Sequence, residues 1–289
     1  MATNLITAAS DSIPSLTSGQ FSTVYNLFSL VIASMLFTSL YLLLAQRRVA
    51  PRYRNALIIS AMVCGIATYH YFRIFDNFKE SYPPGATGVA PHLLSSVQFN
   101  EAYRYVDWLL TVPLLLVETI AVMALARGVS KRLLTKLVPA ATLMILLGYP
   151  GEMTLEAGPR LIWGVLGTLP FIYLVYVLFV ELTRSLEGKP AAVRRQISTL
   201  RLILVGTWTV YPIAYMFPVI GGEFFGGAGG FVLRQAGYSV ADILAKAGFA
   251  LLIYRLARTQ SIIDDPAVYD YQDTPQTSVA APQGVRSVA

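Results

Sequence analysis

Charge is what this sequence has least of. Asp, Glu, Lys and Arg make up 13% of its 289 residues, about half the usual share of a soluble domain. Hydrophobic residues account for 55%, and mean hydropathy is +0.57. That balance points to a membrane protein. The single cysteine, Cys64, excludes an intramolecular disulfide and with it a secreted disulfide scaffold. Residues 1–20 have neither a basic start nor an apolar core, so no signal peptide is expected there. The glycine-rich run at 221–230 has no lysine-serine pair after it and no strand before it, which rules out a phosphate cradle. The net charge of +6 is spread over short loops and forms no nucleic-acid patch. No fixed-period repeat is present.

Long apolar runs are what the chain has in quantity. A bilayer crossing needs roughly 20 mostly apolar residues, and seven stretches qualify: 21–46, 54–75, 99–126, 131–149, 158–183, 197–220 and 230–256. The expected architecture is an all-α bundle of seven transmembrane helices. Its first, third and fifth connections carry Arg47, Arg48, Arg52 and Arg54, then Arg127, Lys131 and Arg132, then Arg184, Lys189, Arg194 and Arg195. The second sets Lys79 against Asp76 and Glu80, the fourth carries Glu152 and Glu156, and the sixth is nearly neutral. The positive-inside rule places the basic loops in the cytoplasm, with the N-terminus outside and the C-terminus inside. Three regions result: an external segment 1–20, the bundle 21–258, and a polar, mobile cytoplasmic tail 259–289. The second loop, 77–96, is long and rich in Pro and Gly and is expected to hold a short hairpin; His92 there reads as an ordinary loop residue.

A few charges interrupt the apolar runs, and intramembrane charges default to function. Lys246 lies in the seventh span with Asp242 one turn before it. A buried ion pair that only joins two helices is the competing reading. In the third span, at about 100° per residue, Thr111, Glu118 and Arg104 fall within about 60° of Asp107 on the helical wheel. Asp107 and Glu118 stand about 16 Å apart along the axis. The topology puts Arg104, Asp107 and Asp242 on the exterior side of Lys246 and Glu118 on the cytoplasmic side. Asp107 and Asp242 should be ionised beside the lysine, and Glu118, desolvated among leucines and valines, should stay neutral and able to donate a proton.

Three motifs in this order, RYVDWLLTVPLLLVE at 104–118, WTVYPIAY at 208–215 and ADILAK at 241–246, resemble the microbial (type 1) rhodopsins, and the resemblance covers residues 20–258. It implies all-trans retinal bound covalently as a Schiff base on Lys246, with Asp107 as proton acceptor and counterion and Asp242 as second counterion. Thr111 completes the third-span motif, and Glu118 is the implied cytoplasmic proton donor. Arg104 would steer release. Asp107, Thr111 and Glu118 together resemble the proteorhodopsin and xanthorhodopsin group of outward proton pumps of the cell membrane, transporters rather than enzymes. Trp108, Trp208, Tyr211 and Tyr215 would line the polyene, Pro212 would shape the sixth helix, and Gly167 and Phe171 would lie near the ring. Tyr215 departs from the tryptophan of some members. Leu115 takes a position where leucine accompanies green absorption. No metal or nucleic acid is implied, and related pumps lead to the expectation of a homo-oligomer, trimer to pentamer.

Two residues keep two readings. A lone membrane histidine is usually a packing residue, yet the resemblance pairs His70 with Asp107, and imidazole titrates in the relevant range. Gly164 either allows close helix packing or, as in the xanthorhodopsin branch, opens a window against which a carotenoid antenna can lie. The exterior proton-release group is undecided among Glu152, Glu156 and Glu223. Among functions, Glu118 favours a pump over a photosensory rhodopsin that signals to a membrane partner. Asp107 argues against a chloride pump, the third span lacks the Asn-Asp-Gln pattern of a sodium pump, and the lone cysteine argues against a G-protein-coupled receptor.

Overall fold

The computed structural model describes residues 14–83, 99–101, 103–154, 156–184 and 186–269, without the side chains of 222 and 223. The expected hairpin falls largely on 84–98, with His92, and so lies outside the described residues, as do 1–13 and 270–289.

Every regular element among the described residues is helical. Helices α1 (Ser18–Ala45), α2 (Pro51–Ser81), α3 (Tyr103–Val122) and α4 (Arg127–Glu152) are followed by α5, which is Ala157–Tyr176 continued through a π-turn at Val177–Glu181. Helix α6 spans Ala191–Tyr215. Helix α7 is one path made of Ala228–Asp242, a π-helical segment Ile243–Gly248 and Phe249–Asp264. Six of these helices are long and apolar enough on their own to cross a membrane. The seventh completes the expected set, its hydrogen-bond register widened where Lys246 sits. The chain is a multi-pass membrane protein.

Local sequence explains the boundaries. Thr17 caps α1: its hydroxyl accepts from the Gln20 amide at 3.3 Å, and the Gln20 side chain accepts from the Thr17 amide at 2.9 Å. This reciprocal cap satisfies two donors that a helix start leaves free, and it sets the start at Ser18. Pro113, Pro139, Pro150, Pro170 and Pro212 all lie inside helices, as a membrane bundle tolerates.

Consecutive helices pack side by side, and α7 closes the bundle against α1, α2, α3 and α6. Of the six long apolar helices, α3 is the most enclosed, with 61% of its apolar window buried against 28% for α4, α5 and α6. Phe37, Leu44, Ile162 and Leu202 face outward. Lipid makes that arrangement free of hydrophobic penalty, so interior positions are left for polar and aromatic groups.

The expected mobile tail from 259 needs a correction. Helix α7 continues to Asp264, and a further turn covers Pro266–Tyr269. Ser261 accepts from the Ala50 amide at 2.8 Å, Asp264 accepts from the Tyr53 hydroxyl at 2.9 Å and pairs with Arg52, and Arg258 bonds the Arg48 and Tyr269 carbonyls. Polar composition suggested a free tail, but these residues are partners for the start of α2. Asp264→Ala is therefore expected to lower the thermal unfolding midpoint in detergent, by about 1 kcal/mol of stability. An unchanged midpoint would show that this docking carries no weight.

Candidate functional site

The polar stripe of α3 turns inward: Arg104, Asp107, Thr111 and Glu118 are all buried, as are Asp242 and Lys246 on α7. Lys246 Nζ donates to Asp107 Oδ2 and, at 3.1 Å, to Asp242 Oδ1. Asp242 is held from several sides. Its Oδ1 also accepts from the Tyr211 hydroxyl at 2.6 Å and the Trp108 indole at 3.4 Å, and its Oδ2 accepts from the Tyr71 hydroxyl at 2.6 Å. Arg104 Nη1 donates to the same Tyr71 hydroxyl at 2.7 Å and lies 3.9 Å from Asp242, while its Nη2 donates to Gln235 at 2.7 Å.

Asp107 is less committed. Its Oδ1 is buried with no hydrogen-bond partner among the described residues, and His70 Nδ1 stands 4.0 Å away. His70 Nδ1 also lies 3.2 Å from the Ile66 carbonyl, so the ring is partly satisfied on its own helix. Thr111 bonds the backbone carbonyl of Asp107 at 2.9 Å rather than its carboxylate, a back-bond open to any helical threonine. Glu118 is farther along α3, fully buried, with neither carboxyl oxygen within hydrogen-bond distance of a partner among the described residues. The buried Ser60 hydroxyl of α2 is beside it and is also unpartnered. Three acids therefore differ in kind: one saturated with donors, one half-occupied and one bare.

A cavity reaches Lys246 from between α3, α4, α5, α6 and α7. Trp108, Leu115, Gly164, Gly167, Phe171, Trp208, Tyr211, Pro212 and Tyr215 all line it together with Lys246. Sequence reasoning missed Tyr105, Met144, Ile145, Gly148 and Tyr238 in the same wall. Tyr238 stacks on Tyr211 at 5.8 Å and meets Trp108 edge-on at 5.6 Å. It lies two turns before Lys246 on the face that also carries Asp242, so helical periodicity could have found it. Gln235, seven residues before Asp242, shares that face and was open to the same reasoning; Tyr71 offered no comparable signal, because only packing places it against Asp242 and Arg104.

Gly164 lines the cavity and is partly exposed on α5. The space beside it is not open: a Cβ there would stand 2.8 Å from the Tyr215 ring, and one at Gly151 would stand 1.8 Å from the Tyr215 hydroxyl. Both glycines make room for Tyr215. Arg160 holds that tyrosine, with its guanidinium 4.3 Å over the ring and its Nε donating to the Tyr215 carbonyl at 3.0 Å. The Tyr215 hydroxyl donates back to the Arg160 carbonyl at 2.7 Å.

The three glutamates in candidate exterior positions separate. Glu156 is exposed, the side chain of Glu223 lies outside the described residues, and Glu152 ends α4 with its side chain buried against Arg160 at 3.1 Å. A fourth, unforeseen, is Glu101, which pairs with Arg234 at 2.8 Å and accepts from Gln235.

Comparison with known proteins follows the same outline. The family described as bacteriorhodopsin-like protein matches residues 22–260. The green-light absorbing proteorhodopsin of Gamma-proteobacterium EBAC31A08 is 31% identical over 242 residues, covering 81% of this chain and 86% of its own. The crystal structure of thermophilic rhodopsin superposes with a TM-score of 0.83 at 41% identity over 88% of this chain and 100% of its own. Xanthorhodopsin, described as a light-driven ion pump with dual chromophore, superposes with a TM-score of 0.80 at 42% identity over 87% of this chain and 99% of its own.

Crowding around Tyr215 can be tested by volume. Gly151→Ala should cost about 1–3 kcal/mol of stability, read as a lower thermal midpoint. Adding Tyr215→Phe removes the clashing oxygen and should restore part of the loss. A double variant as unstable as the single one would locate the strain elsewhere.

Proposed function

We propose that this chain, which belongs to the bacteriorhodopsin-like protein family, is a light-driven outward proton pump of the cell membrane with retinal joined to Lys246. The observation that carries this reading is the asymmetry about Lys246. Two carboxylates contact its nitrogen, with Arg104 beyond them, and a single bare carboxyl, Glu118, is buried toward the other end of α3. A purely structural ion pair gives no reason to bury a second, unpartnered acid.

The cavity residues fit the pigment. Trp108, Trp208, Tyr211 and Phe171 offer flat walls, Leu115, Gly167 and Pro212 keep them apolar, and the amine of Lys246 lies on the wall beside two anions. Bound through Nζ, retinal supplies light absorption and a change of shape at that nitrogen. The chain's own groups supply the direction. Asp107, with an oxygen free, takes the proton of Nζ. Asp242, fixed by Tyr71, Tyr211 and Trp108, keeps its charge and holds the site's field. Glu118 returns a proton to Nζ from the other side. Arg47, Arg48, Arg52 and Arg54 join α1 to α2 at the Glu118 end, which supports assigning that end to the cytoplasm. In this reading residues 21–258 form the retinal-binding unit, and a homo-oligomer is the working assembly.

A second pigment is the finer part of the reading. Gly164 links the cavity to the lipid-facing side of α5, between the exposed Ile162 and Val165. A carotenoid lying there would have the Tyr215 ring edge between it and the retinal ring. With an added keto-carotenoid, energy transfer is expected in the wild type and lost in Gly164→Trp; no transfer in either would remove the antenna.

The pump itself is tested by illuminating retinal-supplied cells in unbuffered medium. External acidification abolished by a protonophore is the expected result, and a slow photocycle without any pH change would favour a photosensory role. Glu118→Gln should slow return of the proton to Lys246 by about a hundredfold with the colour nearly unchanged. His70→Ala should shift the pH at which the colour changes; an unaltered titration would take His70 out of the circuit.

A further inference from the structure

One turn of α7, from Arg258 to Ser261, is bonded to four other segments of the bundle. Arg258 Nη1 donates to the Arg48 carbonyl just after α1 at 2.8 Å. Thr259 Oγ1 accepts from Gln196 Nε2 of α6 at 2.9 Å. Gln260 Nε2 donates to the Val122 carbonyl, the last of α3, at 2.6 Å. Ser261 Oγ accepts at 2.8 Å from the Ala50 amide that precedes α2. Successive residues of an α-helix point about 100° apart, so these four side chains leave the axis in four directions. Arg258, Gln260 and Ser261 are buried accordingly.

This turn lies just beyond Glu118, on the side that the pump reading assigns to the cytoplasm. Val122 follows Glu118 by four residues, about one turn of α3. Lys246 meets Asp107; Val122 and Gln260 each stand about 21–23 Å farther along their helices at 1.5 Å per residue, which brings them level. Glu118 has no exposed surface, so water reaches it only when a layer such as this one opens. Arg258, buried in the same turn, adds a positive charge that a hydrated proton has to pass. Gln260 is the sensitive member. A helix end leaves its last carbonyls without an intrahelical donor, and the Gln260 amide supplies one to Val122. The connection that follows is strained: Ala124 holds a φ of 45°, a left-handed conformation that a residue with a Cβ adopts at a cost. A cap at Val122 holds the end of α3 against that strain. We propose that Gln260 seals Glu118 from the cytoplasm by capping α3, and that release of this cap admits the water from which Glu118 regains its proton. Gln260 is a positioning residue, acting through the end of α3. The inference rests on the pump reading and deepens it by naming the closure that proton uptake has to open.

The test uses the full chain with retinal in lipid vesicles, moved into heavy water in the dark. The Glu118 carboxyl, identified by the infrared band that Glu118→Gln removes, should exchange its proton slowly in the wild type. In Gln260→Met, which keeps the volume and loses the donor, exchange should be about fivefold faster, the worth of one ordinary hydrogen bond. After a flash, proton uptake by Glu118 should quicken by a similar factor while Lys246 regains its proton at the wild-type rate. Gln260→Glu has the same shape but no donor when ionised. Compared with the wild type at each pH, it should exchange fast near neutrality and slowly in acid, where its protonated oxygen caps Val122 again. That reversal serves even if Gln260→Met fails to fold. Asp264→Ala, which loosens only the outer end of the extension, should leave exchange unchanged. Equal acceleration there would show general loosening and overturn the seal, as would wild-type exchange in both Gln260 variants. Either result leaves the pump standing, whereas no light-driven proton movement in the wild type would overturn both.

Discussion

One buried cation sets the terms for this bundle. Lys246 is nearly inaccessible, and its charge is balanced by Asp107 on α3 and Asp242 on its own helix. Removing one partner of such a group typically costs about 3–5 kcal/mol, because an uncompensated charge stays behind. Asp242 must in turn be satisfied, which recruits Tyr71 from α2, Trp108 from α3 and Tyr211 from α6. Four helices are thereby fixed in register around one nitrogen. The π-helical segment Ile243–Gly248 belongs to the same constraint, since it widens α7 where Lys246 leaves it.

Chemistry follows from how unevenly the hydrogen bonds are shared. Among the described residues, Lys246, Tyr211, Trp108 and Tyr71 donate to Asp242, Lys246 alone to Asp107, and only the Ser60 hydroxyl stands near Glu118. In a medium of low dielectric those differences are large. A saturated carboxylate keeps its charge, a half-occupied one has room for a proton, and a bare one is best neutral. The same unevenness recurs beyond Gln235, where, among the described residues, Glu101 accepts from Arg234 and Gln235 and Glu152 from Arg160 on one oxygen only.

Around the cavity the governing constraint is volume. Tyr215 occupies space that Gly151 and Gly164 leave free, and Arg160 fixes it from above its ring. Arg160 also binds Glu152, so the cavity wall and the end of α4 share one buried guanidinium. A change at Tyr215 therefore reaches both.

Hydropathy and loop charge made the seven-helix architecture legible, because lipid demands long apolar runs whatever their partners. The polar stripe of α3 and the Asp242–Lys246 spacing were equally legible, since helical periodicity within one segment decides them. Contacts between segments were not. That Thr111 would bond its own helix, that Tyr71 would bridge Arg104 and Asp242, and that Tyr215 would fill the space at Gly164 depend on helix rotation and side-chain packing. Composition likewise marked the segment after Arg258 as free, while the structure docks it on Arg52 and Tyr53. The sequence by itself determined which charges enter the membrane and in what order, because one-dimensional spacing suffices for that. Only the tertiary structure decided which acid is saturated, which is open and which is paired, because hydrogen bonds between helices exist only once their rotations are fixed.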